Sequence, residues 1–333
     1  MKRTAKKRKK QRKQCRRERR LLVVLCALIV MLASLIYMIH YEGTRRSIVR
    51  SNEGYSALYA VPTLAPTEAP VIPSEPASTP EYTLAPEPTP SPEPAPTFDV
   101  AADETLAPLA TADADTLVFS RETPPPVQES FADLLAVNPE TVGFLSIENV
   151  LSLPVVQRPN DNEFYLDHDF DLEESTGGTL FLDGSNLLVP EDDCLIVYGH
   201  NMRNGTMFRP LIRYEDAAFV RDNPLIRFDT IYENRIYVPF AALSVTADPG
   251  SERYLNLRQF SYDESGFNRF VKSLRTLSVW KSPVEVAHGD RILLLVTCEY
   301  THDNGRFVLA LRAPREGEAL GLLWTQAQQT EAR

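Results

Sequence analysis

Leu293-Leu294-Leu295-Val296-Thr297-Cys298 is an apolar run that stops at a single thiol. The polar stretch Glu299-Tyr300-Thr301-His302-Asp303-Asn304-Gly305 follows, and then a second run, Arg306-Phe307-Val308-Leu309-Ala310-Leu311. Two apolar runs around an Asn-Gly turn predict a β-hairpin. The last residue of one strand and the first of the next then lie nearly opposite, within side-chain reach at one end of a sheet. Those residues are Cys298 and Arg306. Earlier in the chain, Cys194-Leu195-Ile196-Val197-Tyr198 is another short run, and it ends in Gly199-His200. A Cys, a His and an Arg at strand ends are the parts of a thiol acyl-transfer site.

Outward from this hairpin, further short β-like runs recur at 142–147, 153–157, 179–182, 194–198 and 235–245, beside the pair at 291–297 and 306–311. Helical periods are fewer, at 130–137, 208–214 and 266–278. Many short strands with turns and little helix predict a mainly β fold, a barrel with helical insertions, over residues 127–333. That length is enough for a single core.

The N-terminal third has a different composition. Residues 2–20 hold thirteen Lys or Arg and one Glu, while Leu21 to Ile39 carry no charge. Nineteen helical residues span about 28 Å, close to the hydrocarbon thickness of a bilayer. The division predicted is a basic cytoplasmic tail at 1–20 and a transmembrane helix at 21–40, uncleaved, with everything after it outside the cell. The net charge of −10 hides a strong asymmetry, because 22 basic residues face 44 acidic ones beyond the tail. That balance excludes a nucleic-acid role for the exterior, and the tail reads as a topology signal in contact with anionic lipid. Residues 41–126 lack a sustained apolar period, and twelve prolines fall between Pro62 and Pro96. Such a segment predicts a disordered, extended stalk, its 35 Pro-rich residues reaching about 110 Å as polyproline II. No candidate catalytic residue lies before residue 127, so a fragment beginning there is expected to fold and act alone.

Among the cysteines, Cys15 and Cys26 fall in the tail and the apolar span, which leaves Cys194 and Cys298 outside. Six strand residues at about 3.3 Å put Cys194 some 20 Å from the His200 end, so a bridge to Cys298 is excluded if His200 and Cys298 meet there. Cys194 reads as a small buried apolar residue. Cys298 reads as the nucleophile, its thiolate favoured by a nearby cation and imidazolium. His200, between Gly199 and a polar turn, reads as general acid to a leaving amine and base to an incoming one. Arg306 stays charged, and its planar fork suits a peptide carbonyl or developing oxyanion. His302 lies four residues after Cys298, a useful spacing only on a helix. His168, in Asp167-His168-Asp169-Phe170-Asp171, reads as part of a solvated acidic loop, and His288 as a turn residue. No cofactor or metal is implied by any motif.

These residues also carry a family resemblance. Val296-Thr297-Cys298 with Arg306 eight residues after the Cys, and Tyr198-Gly199-His200-Asn201-Met202 with Met207-Phe208 behind it, resemble class B sortases. So do Asn138 to Ile147, Pro154-Val155-Val156-Gln157, Asp161-Asn162, Tyr165-Leu166 and Gly178 to Asp183. Phe267 to Leu274 is similar to the long helix that class B places before the Cys strand. The resemblance runs in order over residues 130–314. One departure is Val296, which stands two residues before the Cys where the family usually has Ser or Thr. The resemblance implies a closed eight-stranded barrel and a membrane-anchored cysteine transpeptidase of a Gram-positive bacterium. It implies cleavage of a sorting motif in secreted proteins, through a thioacyl intermediate on Cys298. The partners it implies are proteins with a C-terminal sorting signal and an amine of cell-wall peptide or pilin. Two alternatives stand beside it: a cysteine endopeptidase with the same Cys298 and His200 that resolves the thioester with water, and a non-catalytic stalked binding module that kept the barrel, for which the Val296 departure is the foothold.

Overall fold

The computed structural model describes residues 2–60, 124–246, 248–299 and 305–333. The hairpin turn expected at 300–304 and the Pro-rich residues 61–123 lie outside the described residues.

The chain opens with one long helix, α1 (Lys2–Ala57). After a 3-10 turn at Glu129–Phe131 and the short α2 (Ala132–Val137) comes the barrel. Its strands are β1 (Thr141–Ile147), β2 (Leu151–Val156), β3 (Leu180–Leu182), β4 (Cys194–Gly199), β5 (Ile226–Thr230) and β6 (Ile236–Thr246). A 3-10 segment, Arg209–Glu215, and α3 (Ala217–Asp222) lie between β4 and β5, and α4 (Glu264–Leu277) follows β6. The short β7 (Trp280–Lys281) leads to β8 (Ile292–Glu299) and β9 (Gly305–Arg312). The chain ends with α5 (Leu320–Gln328) and β10 (Glu331–Ala332), which pairs with β7.

Eight strands close in the order β1-β2-β3-β4-β8-β9-β6-β5. The β2–β3 and β4–β8 pairs are parallel and the rest antiparallel. This is the closed barrel expected. Seven of its strands coincide with the apolar runs of the sequence. The eighth, β5, has a buried ion pair inside it, Arg227 Nε to Asp229 Oδ2 at 2.5 Å, which interrupts the apolar pattern although all five residues are buried.

Two faces explain why β4 and β8 are apolar without alternation. Leu195, Val197, Leu293, Leu295, Phe307 and Leu309 point into the barrel, and Leu145, Val155, Leu180 and Phe228 complete that core. Ile196, Leu294, Val308 and Ala310 belong to an outer layer roofed by Phe267, Phe270, Val271 and Leu274 of α4. These four recur at helical spacing, and Asp263 caps the helix by accepting from the Gly266 N–H at 2.7 Å. Leu323 and Ala327 of α5 extend the same layer. In β6 the register shifts between Pro239 and Ala241, where proline cannot donate to the ladder.

The helix runs on past residue 40, into residues expected to belong to the stalk. Among the described residues one helix, Leu25–Ala57, is long and apolar enough to cross a membrane, and it does not end where its apolar stretch ends. It continues onto the barrel. Ile48, Tyr55 and Tyr59 are buried there, at positions separated by seven and four residues. Tyr59 stacks on Phe144 and Phe131 with ring centroids 4.4 and 4.8 Å apart, and its hydroxyl donates to Asp229 at 2.8 Å. Tyr59 precedes the Pro-rich residues and Phe131 follows them. The distance between the apolar helix and the barrel is therefore set by α1 itself. The extended, disordered character read for 61–123 falls on residues outside those described.

Removing residues 1–126 would uncover Phe131, Phe144 and Phe170 from their aromatic cover, against the expectation that a fragment from residue 127 stands alone. That fragment should unfold at lower urea than one beginning at residue 41, by about 3–5 kcal/mol for three large apolar side chains. In the longer fragment, Tyr59→Ala alone should cost about 3 kcal/mol. Equal urea midpoints for the two fragments would show that α1 contributes nothing to the barrel.

Candidate active site

The site is built by strand register. In the parallel β4–β8 ladder, Tyr198 is level with Val296 and Gly199 with Thr297. His200 follows Gly199 and Cys298 follows Thr297, so the two backbones leave these positions side by side. Across the antiparallel β8–β9 ladder, Cys298 is the register partner of Arg306. The three residues singled out from the sequence thus meet at one end of three adjacent strands.

Local packing holds His200 at this end. A Cβ on Gly199 would overlap the Leu180 side chain and come within 2.8 Å of the Phe208 ring, so glycine lets β4 close down just before the imidazole. The loop that follows is pinned by an Asn201–Met207 bridge and by the Phe208 N–H donating to the His200 carbonyl at 2.8 Å. The His200 Nε2 lies 2.6 Å from the Leu166 carbonyl oxygen. A carbonyl accepts only, so Nε2 carries the proton of that bond and Nδ1 is the second exchangeable position.

Arg306 is partly buried, and its guanidinium donates to the Gly305 carbonyl at 3.0 Å. With His200 it lines a cleft of 290 Å³ whose other walls include Leu166, Phe181, Tyr198 and Val296. Val296, at the position where the resemblance expects a hydroxyl, is buried in the outer apolar layer and gives the cleft an apolar wall.

Beneath the cleft runs a polar network with no counterpart among the sequence candidates. The Tyr198 hydroxyl donates to Asp183 Oδ2 at 3.1 Å, and Arg258 Nε donates to the same oxygen at 2.9 Å. Burial pushes the Asp183 carboxyl up, but hydrogen bonds from Arg258, the Ser185 N–H and Asn162 outweigh it and hold the group below the usual carboxylate range. Burial and the neighbouring Asp183 push the Tyr198 hydroxyl up, so it stays protonated and donates. Arg258 lies in the loop after β6, outside every motif read from the sequence, and nothing local marks it.

The competing candidates lie elsewhere. Cys194 is fully buried at the far end of β4, level with Ile292, and burial pushes its thiol far up. Its reading as a small core residue stands. His168 stacks on Phe164 at 3.9 Å, with Nδ1 2.9 Å from the Phe164 carbonyl and 2.7 Å from Asp167. His288 Nε2 lies 3.0 Å from the Tyr262 carbonyl. His302 is outside the described residues. Among the described residues no three His, Cys, Asp or Glu side chains gather as a metal site.

Comparison with known proteins agrees with this geometry. The chain is 30% identical over 202 residues to Sortase B of Listeria monocytogenes, covering 60% of this chain and 78% of that protein. It is 30% identical over 189 residues to Sortase B of Staphylococcus aureus, covering 56% of this chain and 75% of that one. The solved structure of a Staphylococcus aureus sortase B–substrate complex superposes with a TM-score of 0.52 at 28% identity, covering 57% of this chain and 87% of that chain. No protein-family model matches.

The Asp183–Arg258 pair makes a pH-dependent prediction. A carboxylate whose folded pKa is depressed adds stability above its unfolded value, and that stability is lost as pH falls through the folded one. Arg258→Ala removes the cation and leaves burial to raise the Asp183 pKa. The variant should lose about 2 kcal/mol at pH 7 relative to the parent, and the gap should narrow below pH ~4 as the carboxyl protonates. Paired melting curves at the two pH values check this, and a gap that widens in acid would reverse the assignment.

Proposed function

The chain belongs to the class B sortases, which are cysteine transpeptidases, and we propose that Cys298, His200 and Arg306 are its nucleophile, its general acid and base, and its oxyanion-holding cation. The observation that supports this best is the double register match, Gly199 level with Thr297 across β4–β8, one residue before His200 and Cys298, and Arg306 opposite Cys298 across β8–β9. Backbone ladders set both, so no long-range side-chain adjustment is needed to assemble the three.

In this reading the Cys298 thiolate attacks the carbonyl carbon of the scissile peptide bond, and the electron pair of the C=O moves to oxygen. Arg306 meets that oxyanion with its forked donors. Collapse of the intermediate expels the amine, which takes a proton from His200, and the acyl group remains as a thioester on Cys298. An incoming amine then attacks the thioester, His200 recovers a proton from it, and the thiolate departs. With Nε2–H bonded to the Leu166 carbonyl, Nδ1 is the nitrogen that carries these transfers. The substrates are secreted proteins with a C-terminal sorting signal, and the acceptor is an amine of cell-wall peptide or a pilin lysine.

Helix α1 supports a membrane anchor, with the basic residues 2–20 on the cytoplasmic side and the barrel outside. Both substrates of the reaction are tethered on that outer side.

Peptides from C-terminal sorting signals, incubated with the chain with and without an added amine, should give the amide of the amine in one case and slower hydrolysis in the other, separable by mass. Cys298→Ala should abolish both products and the covalent intermediate. His200→Ala should remove one limb of a bell-shaped pH profile of kcat/KM and lower the rate throughout. Arg306→Lys should keep the profile and lose about a hundredfold, the usual cost of a lost oxyanion contact. Hydrolysis that an added amine leaves unchanged would make the protein an endopeptidase. Near-normal turnover by Cys298→Ala would remove the assignment.

A further inference from the structure

The part of α1 that emerges from the apolar stretch touches both supports of His200. On one side is the loop at 200–207. Arg45 Nε donates to the Asn204 carbonyl at 3.0 Å, and the Asn52 amide lies 3.5 Å from Met207 Sδ. Met207 is buried with a positive φ of 55°, a conformation that a side-chain-bearing residue holds where its surroundings impose it. Ile48 of α1 shares its apolar cluster with Met207 and Phe208. On the other side is the segment carrying the Leu166 carbonyl. Ile48 packs on Gly177, where a Cβ would come 3.1 Å from its Cδ1, and the Tyr55 hydroxyl donates to Asp171 at 2.8 Å. Gly178 closes the chain of contacts, lying directly against the Tyr165 and Leu166 backbone carbonyls. Leu166 in turn accepts from the imidazole.

We propose that Arg45, Ile48 and Asn52 of the juxtamembrane helix are positioning residues for His200, so that the helix leaving the membrane span is part of what aligns the acid–base group with Cys298. The proposal rests on the reading of His200 as the acid and base. The helix fixes the histidine loop at Asn204 and Met207, and it fixes the carbonyl that orients the ring through Gly177 and Gly178. A loop held at both ends by β4 and Phe208 retains freedom in its middle, and α1 contacts that middle. Misplacing a catalytic group by an ångström costs up to about a hundredfold. Loosening two of several restraints costs less.

The test uses the full chain in detergent micelles and needs no knowledge of the sorting motif. Iodoacetamide alkylation of Cys298 is followed by peptide mass mapping across pH, because its rate reports the thiolate that a neighbouring imidazolium favours. Arg306 of β9 and the Tyr198 hydroxyl of β4 are the other ionisable groups described at the cleft, and neither is changed. His200→Ala should slow alkylation at pH 7 about tenfold and move the profile toward that of an ordinary thiol. The double variant Arg45→Ala/Asn52→Ala should slow it about threefold or more in the same direction. Arg45→Lys, which keeps a donor of similar reach, should restore most of the rate. Tyr59→Phe breaks the contact to Asp229 made just beyond α1, remote from the loop, and should lower the melting temperature while leaving the alkylation profile in place.

If His200→Ala alkylates normally, the reading of His200 fails. If His200→Ala is slowed and the double variant matches the parent, the positioning role fails and the reading of His200 survives. A profile that Tyr59→Phe shifts as far as the double variant does would make the effect general loosening, and would overturn the proposal.

Discussion

Everything at the candidate site depends on the position of β8 between β4 and β9. A strand buried on both faces and hydrogen-bonded along both edges has no freedom to slip, because a one-residue shift would turn Leu293 and Leu295 out of the core and bring Leu294 and Val296 into it. That constraint sets Thr297 level with Gly199, the residues just before Cys298 and His200, and Cys298 opposite Arg306. The three candidate residues stand at strand ends, where the ladder stops, and the ladder itself sets their backbone positions. The parallel β4–β8 pair is essential to this arrangement. An antiparallel neighbour would have put the Gly199 end of β4 beside Ile292, at the opposite pole of the barrel from the thiol.

The outer surface of the barrel is shared between two covers. Helices α4 and α5 roof the face beneath which Ile196, Leu294 and Val308 lie, and the end of α1 with α2 covers Phe144, Val156 and Phe181. The cleft opens between these covers, floored by Phe181 and Tyr198 with rings 5.2 Å apart. The Asp183–Arg258 pair beneath Tyr198 keeps a hydroxyl buried without leaving it unpaired, and it ties the loop after β6 to the turn after β3. The cleft thus combines an apolar wall at Val296, a tilted aromatic pair as floor and a cation at Arg306.

The parts of this molecule legible in the sequence are those encoded by local pattern. Runs such as Leu293 to Val296 and Cys194 to Tyr198 declare their strands. The residues that end them mark the candidate site, since a strand end is a position that can be read without knowing the fold. What was not legible depends on partners distant in the chain. β5 hides because Arg227 and Asp229 neutralise each other inside a five-residue strand, and a polar pair reads as a loop until its burial is seen. Arg258 acquires its role from Asp183, 75 residues earlier. The docking of α1 rests on Ile48, Tyr55 and Tyr59, a stripe too sparse to register beside Arg45, Arg46 and Arg50 and the prolines that follow. Its spacing of seven and four residues was nevertheless a helical signal, and the composition of the neighbouring segment obscured it.

The path of α1 changes what the N-terminal third can do. On the proposed topology, the helix leaves the bilayer near Ile39 and meets the barrel at Ile48, nine residues or about 14 Å later. A stalk of 35 Pro-rich residues in series would have allowed about 110 Å. On the proposed topology the barrel is instead held within two or three helical turns of the bilayer, and its orientation is inherited from a continuous helix. The Pro-rich residues join two points that are already in contact, Tyr59 and Phe131. The spacing between the apolar stretch and the barrel is therefore carried by α1, between Ile39 and Ile48.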